Sequence, residues 1–176
     1  LVEQLQAAQL PDGKFADNID RSGTGRFGEQ VLLNTHVWAV LALHAAKTEC
    51  PDPAKAKEWL KDQQHPDGGF NWNLLDASSD SDSTGMALTA LSLLGEKPDS
   101  PAVQKAVNYL KLAQDNNGAF ASWGAVNPES CSYVIEGLTA VGIDPTGSEW
   151  TKPGGSMVSA ILSYRLPDGS FEHIKG

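Results

Sequence analysis

The sequence is short of the residues that build most catalytic and cross-linked centres. It has two cysteines and four histidines in 176 residues. Nothing brings two His, or a His and a Cys, within metal-ligand spacing along the chain. No metal site is therefore expected, and Cys50 and Cys131 read as free thiols, one exposed and one half-buried. Positive charge is also scarce: 13 Lys and Arg stand against 22 Asp and Glu, for a net charge of −9. With no Lys/Arg cluster to neutralise phosphates, nucleic acid and anionic membrane surfaces are excluded as partners. No apolar run is long enough to span a bilayer, so no transmembrane segment is expected. There is no signal peptide, but the chain opens at Leu1 inside a helical pattern and stops at Gly176 just after a turn. It reads as a piece of a longer protein, so that absence says nothing about compartment.

What the chain does have is a repeat. Hydrophobic residues make up 40% of it, enough for one domain with a sizeable core. A turn recurs as Gln9-Leu-Pro-Asp-Gly-Lys-Phe15, Gln64-His-Pro-Asp-Gly-Gly-Phe70, Gln114-Asp-Asn-Asn-Gly-Ala-Phe120 and Arg165-Leu-Pro-Asp-Gly-Ser-Phe171. Its Asp or Asn can bond its own backbone two residues on, and its Gly can take a positive φ. The glycines Gly13, Gly68, Gly118 and Gly169 are spaced by 55, 50 and 51 residues. Helix starts align as well: Asn34-Thr35-His36, Asp82-Ser83-Thr84 and Glu129-Ser130-Cys131, each leading into a run of small and aliphatic residues. A period near 50 with two helices per unit means a helical-hairpin array, whose units cannot bury their apolar faces alone. The units fall at about 1–47, 53–95, 101–142 and 156–176, a single repeat domain of about three and a half hairpins.

Charge sorts the helices into two kinds. The segment 54–64 carries Lys55, Lys57, Glu58, Lys61 and Asp62 opposite Ala56, Trp59 and Leu60, so one side faces water. The segment 84–94 has no charge and must be buried nearly all round. The contrast repeats in 102–114 against 132–141. Alternating outer and inner helices make a partial α/α toroid, all-α in class, with the inner helices starting near its centre. The long segment Ala16 to Gln30, with Asp17, Asp20, Arg21 and three glycines, reads equally as a functional loop or as the irregularity of a terminal repeat.

The Gln-x-x-Asp/Asn-Gly-x-Phe turn and the Asp-x-Asp-Ser-Thr-x-Met-Ala-Leu helix start resemble the terpenoid cyclase and protein prenyltransferase α/α-toroid superfamily. Asn127-Pro-Glu-Ser-Cys131 and Leu138-Thr-Ala-Val-Gly-Ile-Asp-Pro-Thr-Gly147 are most similar to bacterial surface proteins with prenyltransferase/squalene-oxidase repeats. Those are related in turn to the helical domain of the cobalamin carriers. The resemblance implies a secreted or cell-surface location and a non-catalytic module, binding a bulky, corrinoid-like small molecule or acting as a scaffold. In that reading Asn34, His36, Asp82, Thr84, Glu129, Cys131, Trp72 and Trp123 gather at the inner-helix starts, where free N–H groups and a positive dipole end face the centre. The alternative for Trp72 and Trp123 is packing against neighbouring hairpins.

The same resemblance implies three chemistries. Class II terpene cyclases protonate an alkene with an Asp-x-Asp-Asp motif whose middle Asp is the acid. Asp80-Ser-Asp82-Ser83 keeps the first and middle positions and has Ser for the last. Asp82, assisted by Asp80, is the catalytic candidate of this alternative reading; the competing role, given precedence, is that Asp82 and Ser83 cap the inner helix. Aromatic support for a cation would come from Trp38 and Tyr133 on the inner helices. Prenyltransferases hold zinc with Asp-x-Cys and a later His; Glu129-Ser-Cys131 lacks the His, which disfavours zinc. Complement-type thioester domains use Gly-Cys-Gly-Glu-Gln, but Phe27-Gly-Glu-Gln30 has no thiol. Finally, a partial toroid exposes the apolar flanks of its end hairpins, so self-association or contact with further repeats is expected.

Overall fold

The computed structural model describes residues 1–20, 23–25, 27–122 and 124–175, so Arg21 and Trp123 lie outside the described residues. Within them the chain forms seven α-helices: α1 (Val2–Gln6), α2 (Leu33–Ala45), α3 (Pro53–Asp62), α4 (Ser81–Leu93), α5 (Pro101–Ala113), α6 (Pro128–Ala140) and α7 (Met157–Leu162). Two short antiparallel hairpins pair β1 (Ala121–Ser122) with β2 (Ala125–Val126) and β3 (Thr151–Lys152) with β4 (Gly155–Ser156). A 3-10 turn, Ser148–Trp150, leads into β3.

The helices start where the sequence supplies an acceptor for orphan N–H groups. Asp52 caps α3 and Ser100 caps α5, each followed by a proline whose missing N–H costs nothing at that position. Asp80 caps α4 through Ser83 N at 2.7 Å, and Asn127 caps α6 through Ser130 N at 2.7 Å. The cap of α4 is thus Asp80, not Asp82 or Ser83 as expected, because Asp80 holds the extended backbone of a cap while Asp82 is already inside the helix. Leu32, at the corresponding position of α2, has no side chain for the task. Asp17 reaches in from the long loop instead, accepting from Val31 N at 2.6 Å and Leu32 N at 3.0 Å and from the Thr35 hydroxyl. Of the two readings of that loop, this part of it serves the helix start.

α2, α4 and α6 form the inner row, and α1, α3, α5 and α7 pack outside it. Nine of the thirteen α4 residues are buried, against two of the ten in α3, as their charge predicts. α4 and α6 cross almost backbone to backbone. A methyl on Gly85 would fall on the Tyr133 carbonyl, and one on Gly137 on the Gly85 carbonyl. The core runs along this row through Leu33, Val37, Leu88, Leu91, Val134 and Leu138.

Each of the first three turns is tied in three ways. Its Asp or Asn accepts the N–H two residues on, as in Asp67 with Gly69 at 2.9 Å. Its Phe is buried, and the Phe N–H donates to the inner helix of the same unit: Phe15 to His36 Nδ1 at 3.1 Å, Phe70 to Thr84 Oγ1 at 3.0 Å, and Phe120 to the Cys131 sulfur. Its Gln clamps the following unit: Gln9 Nε2 donates to Asp52 O at 2.9 Å, Gln64 Nε2 to Ala102 O at 2.8 Å, and Gln114 Nε2 to Trp150 O at 2.9 Å. At Gly68 (φ 92°) a side chain would also collide with the Lys105 backbone of the next outer helix. The fold is therefore the expected partial α/α toroid, stacked unit by unit.

Candidate functional site

The inner-helix starts enclose a cleft of about 370 Å³. Asn34 on α2 and Asp82 and Ser83 on α4 line one level of it. One helical turn further on lie Trp38 and Met86, with Tyr133 of α6 opposite. Trp72, in a loop, and Ser122 of β1 close the rim beside Asp80. Trp72 is held by its own backbone: Leu33 N donates to Trp72 O at 2.8 Å, and Leu74 N to Val31 O at 2.8 Å.

The two acids differ in how they are used. Both oxygens of Asp80 are engaged by Ser83, Oδ1 by its N–H at 2.7 Å and Oδ2 by its hydroxyl at 2.8 Å. Burial pushes the Asp80 carboxyl above the usual carboxylate range, and the charge of Asp82 adds to that against the two Ser83 bonds. Asp82 does no capping, and the Ser81 hydroxyl approaches its Oδ1 only at 3.4 Å. Its carboxyl is available to the cleft. Around it stand Trp38, half-exposed at 49%, with Trp72 and Tyr133 partly buried. The phenol of Tyr133 is raised by burial first and then by Asp82, so it stays neutral.

A second chamber of about 360 Å³ adjoins the cleft and shares Trp72, Asp80 and Ser122 with it. It is polar, with Asn71, Asp76, Ser78, Ser79 and Tyr109 in its wall. Burial, then Asp80 and Asp67, pushes Tyr109 up to about 12.

Not all of the expected site residues meet here. Asn34, Trp72, Asp80 and Asp82 do. His36, Thr84 and Cys131 do not: each is fully buried and takes the N–H of its turn phenylalanine. Placing them among ligand contacts is corrected by that burial, and Cys131 is more deeply buried than expected. Glu129 lines a depression of about 500 Å³ with Pro128, Ile161 and Phe171, which meets the cleft at Tyr133; the Glu129 Oε2 lies 2.9 Å from His173 Nδ1. Trp123 falls outside the described residues. Met86 was missed, although its spacing gave it away. It stands four residues after Asp82, as Trp38 does after Asn34, so both lie on the cleft side of their helices. Part of the donor capacity at the helix starts is already used: Asp80 takes Ser83 N, Asn127 takes Ser130 N, and Asp17 takes Val31 N just before α2.

An acidic, aromatic cleft at the inner-helix starts of an α/α toroid defines the class. Residues 14–176 match the prenyltransferase alpha-alpha toroid domain, and the chain belongs to that family. It is 40% identical over 107 residues to a probable squalene–hopene cyclase of Sinorhizobium fredii, covering 53% of this chain and 16% of that protein. It is 34% identical over 130 residues to a squalene–hopene cyclase of Bradyrhizobium diazoefficiens, covering 66% and 18%. A drimenyl diphosphate synthase of Streptomyces showdoensis is 25% identical over 145 residues, covering 82% and 26%. The chain thus spans about a quarter or less of the length of these relatives. In fold it is similar to the type II terpene cyclase MstE from Scytonema, with a TM-score of 0.65 at 19% identity, over 98% of this chain and 50% of that one.

Proposed function

We propose that the cleft is an isoprenoid site of the type II terpene cyclase kind, with Asp82 as the proton donor. The relatives favour this over the carrier reading, since those reported are cyclases and a terpenoid diphosphate synthase. The observation that carries it is the division of labour between the two acids. Asp80 takes over the cap, which leaves the Asp82 carboxyl facing aromatic side chains. An alkene is a very weak base, so its protonation needs a positioned acid and a place for the resulting cation. The π electrons of a terminal double bond take the Asp82 proton, and the cation forms on the more substituted carbon. The faces of Trp38, Trp72 and Tyr133 stabilise it by cation–π attraction. The next double bond attacks the cation and closes the ring. The cyclised cation loses a proton to solvent to give a neutral alkene, and solvent returns a proton to the Asp82 carboxylate.

The test is incubation with acyclic C15 to C30 isoprenoids in D2O, followed by gas chromatography and mass spectrometry. A cyclised product carrying one added deuterium is expected, lost in Asp82→Asn. Asp80→Asn should still fold, because Asn127 caps α6 in the same way, and should slow the reaction without abolishing it. Cyclisation that survives in Asp82→Asn would overturn the assignment. One observation favours a second reading, binding without turnover: Ser83 stands where the motif has its last carboxylate, and its hydroxyl bonds Asp80 instead. Tryptophan quenching by the isoprenoid with no cyclised product identifies that case.

A further inference from the structure

We infer that this site selects an uncharged isoprenoid and rejects prenyl diphosphates, an inference that rests on the isoprenoid reading above. It follows from what the cleft and its adjoining chamber present together. Asp82 lines the cleft, Asp76 lines the chamber, and Asp80 lies in the wall they share. Among the described residues no Lys, Arg or His lines either space.

A diphosphate is a multiply charged anion that proteins hold with Arg or Lys, with helix N-termini, or through a divalent cation. The first is lacking here among the described residues. The second is opposed by charge, because each inner-helix start carries an acid of this chain. Asp17 bonds the backbone leading into α2, Asp80 and Asp82 stand at the start of α4, and Glu129 lies in the first turn of α6. Asp76 is held below the usual carboxylate range by the Ser78 backbone N–H and then its hydroxyl, so it remains an anion. A third carboxylate therefore faces any head group placed in the chamber. For the third mode, no three His, Cys, Asp or Glu among the described residues converge on one ion. A bridging cation would have to arrive with the diphosphate.

The chamber is polar in a different sense. The Ser78 and Ser79 side chains and the Tyr109 phenol line it, together with the buried Asn71. Such groups suit a hydroxyl or carbonyl head group, while the Trp72 side of the cleft takes the hydrocarbon. The relatives fall on both sides of this distinction by name, some acting on squalene and others making a diphosphate. The charge of this site places the chain with the former.

The experiment is a tryptophan-fluorescence titration, checked by native mass spectrometry, with farnesol, squalene and farnesyl diphosphate. The last is run with and without Mg²⁺, at low and high salt. The neutral ligands should bind at least tenfold more tightly than the diphosphate. Raising salt should strengthen diphosphate binding by screening the repulsion, the reverse of an electrostatically attracted ligand. Asp82→Asn should narrow the gap. Diphosphate affinity equal to or above that of farnesol overturns the selectivity and leaves an isoprenoid site standing. Binding of none of the three overturns the isoprenoid reading itself, and the selectivity with it.

Discussion

His36, Thr84 and Cys131 occupy one position of the repeat and do one job with three chemistries, each accepting the N–H of a turn phenylalanine. Only the histidine makes that job depend on pH. Its ring is buried against Phe15 and Trp59, and its pKa falls to about 3, through burial first and then the nearby charge of Lys14. In the unfolded chain it titrates near 6.5. Between these values the unfolded state binds the extra proton, so stability is complete above about pH 6.5 and is lost as pH falls. The slope approaches about 1.4 kcal/mol per pH unit. Asp17 adds to the loss at lower pH. Burial raises its carboxyl, but the bonds from Lys14, Thr35, Leu32 and Val31 outweigh that and leave it below its ordinary value. Asp80, held up by burial, acts in the opposite direction just above the ordinary Asp value. Urea midpoints at pH 7.5, 5.5 and 4.5 should therefore fall with pH, and His36→Thr, which borrows the neighbouring unit's solution, should flatten the fall. An unchanged slope in that variant would remove His36 as its source.

At the scale of elements, the repeat was legible because a period near 50 carries its own turn chemistry. The turns and the alternation of charged and uncharged helices follow from residue types alone. The job of each turn was less visible. Gln9, Gln64 and Gln114 are remote in sequence from the backbone they bind, and only stacking shows them to be clamps between units. The cap of α4 was misplaced for a related reason: Asp80, Asp82, Ser83 and Thr84 all have side chains able to cap, and backbone geometry decides among them. The clamp can be tested directly. Gln64→Ala removes two donor bonds, to Gly68 O at 2.9 Å and Ala102 O at 2.8 Å, and leaves those part-buried carbonyls without them. A loss of about 1–3 kcal/mol is expected by chemical denaturation. Arg165→Ala, at the corresponding position of the fourth turn, where the side chain makes no hydrogen bond or ion pair among the described residues, should change stability by less than about 0.5 kcal/mol. Equal effects at the two positions would mean that the glutamines do not join units.

At the scale of the whole molecule, the cleft was partly legible and partly not. Asn34, Asp80, Asp82 and Trp72 line the cleft because inner-helix starts converge in a toroid, while His36, Thr84 and Cys131 are buried away from it, which a column on a helix does not reveal. Facing is set by packing between units, and packing is uneven along the chain. Phe15, Phe70 and Phe120 are at most 1% exposed, whereas Phe171 is 48% exposed, and Leu162 at the end of α7 and Ile174 are also in solvent. At the other end α1 buries none of its residues. In a stacked array, stability is close to a sum of unit and nearest-neighbour terms, so a unit with one neighbour opens more readily than one with two. Native-state amide exchange should therefore grade from the middle outward. α4 and α6, locked at Gly85 and Gly137, should exchange only by global unfolding. α1, α7 and the turn ending in Phe171 should exchange by local opening, with protection lower by orders of magnitude. The cleft sits on the α4 and α6 side of that gradient, so its acid is carried by the most rigid part of the chain. Uniform protection from α1 to α7 would show a single cooperative unit and remove the basis for placing a preorganised acid at its centre.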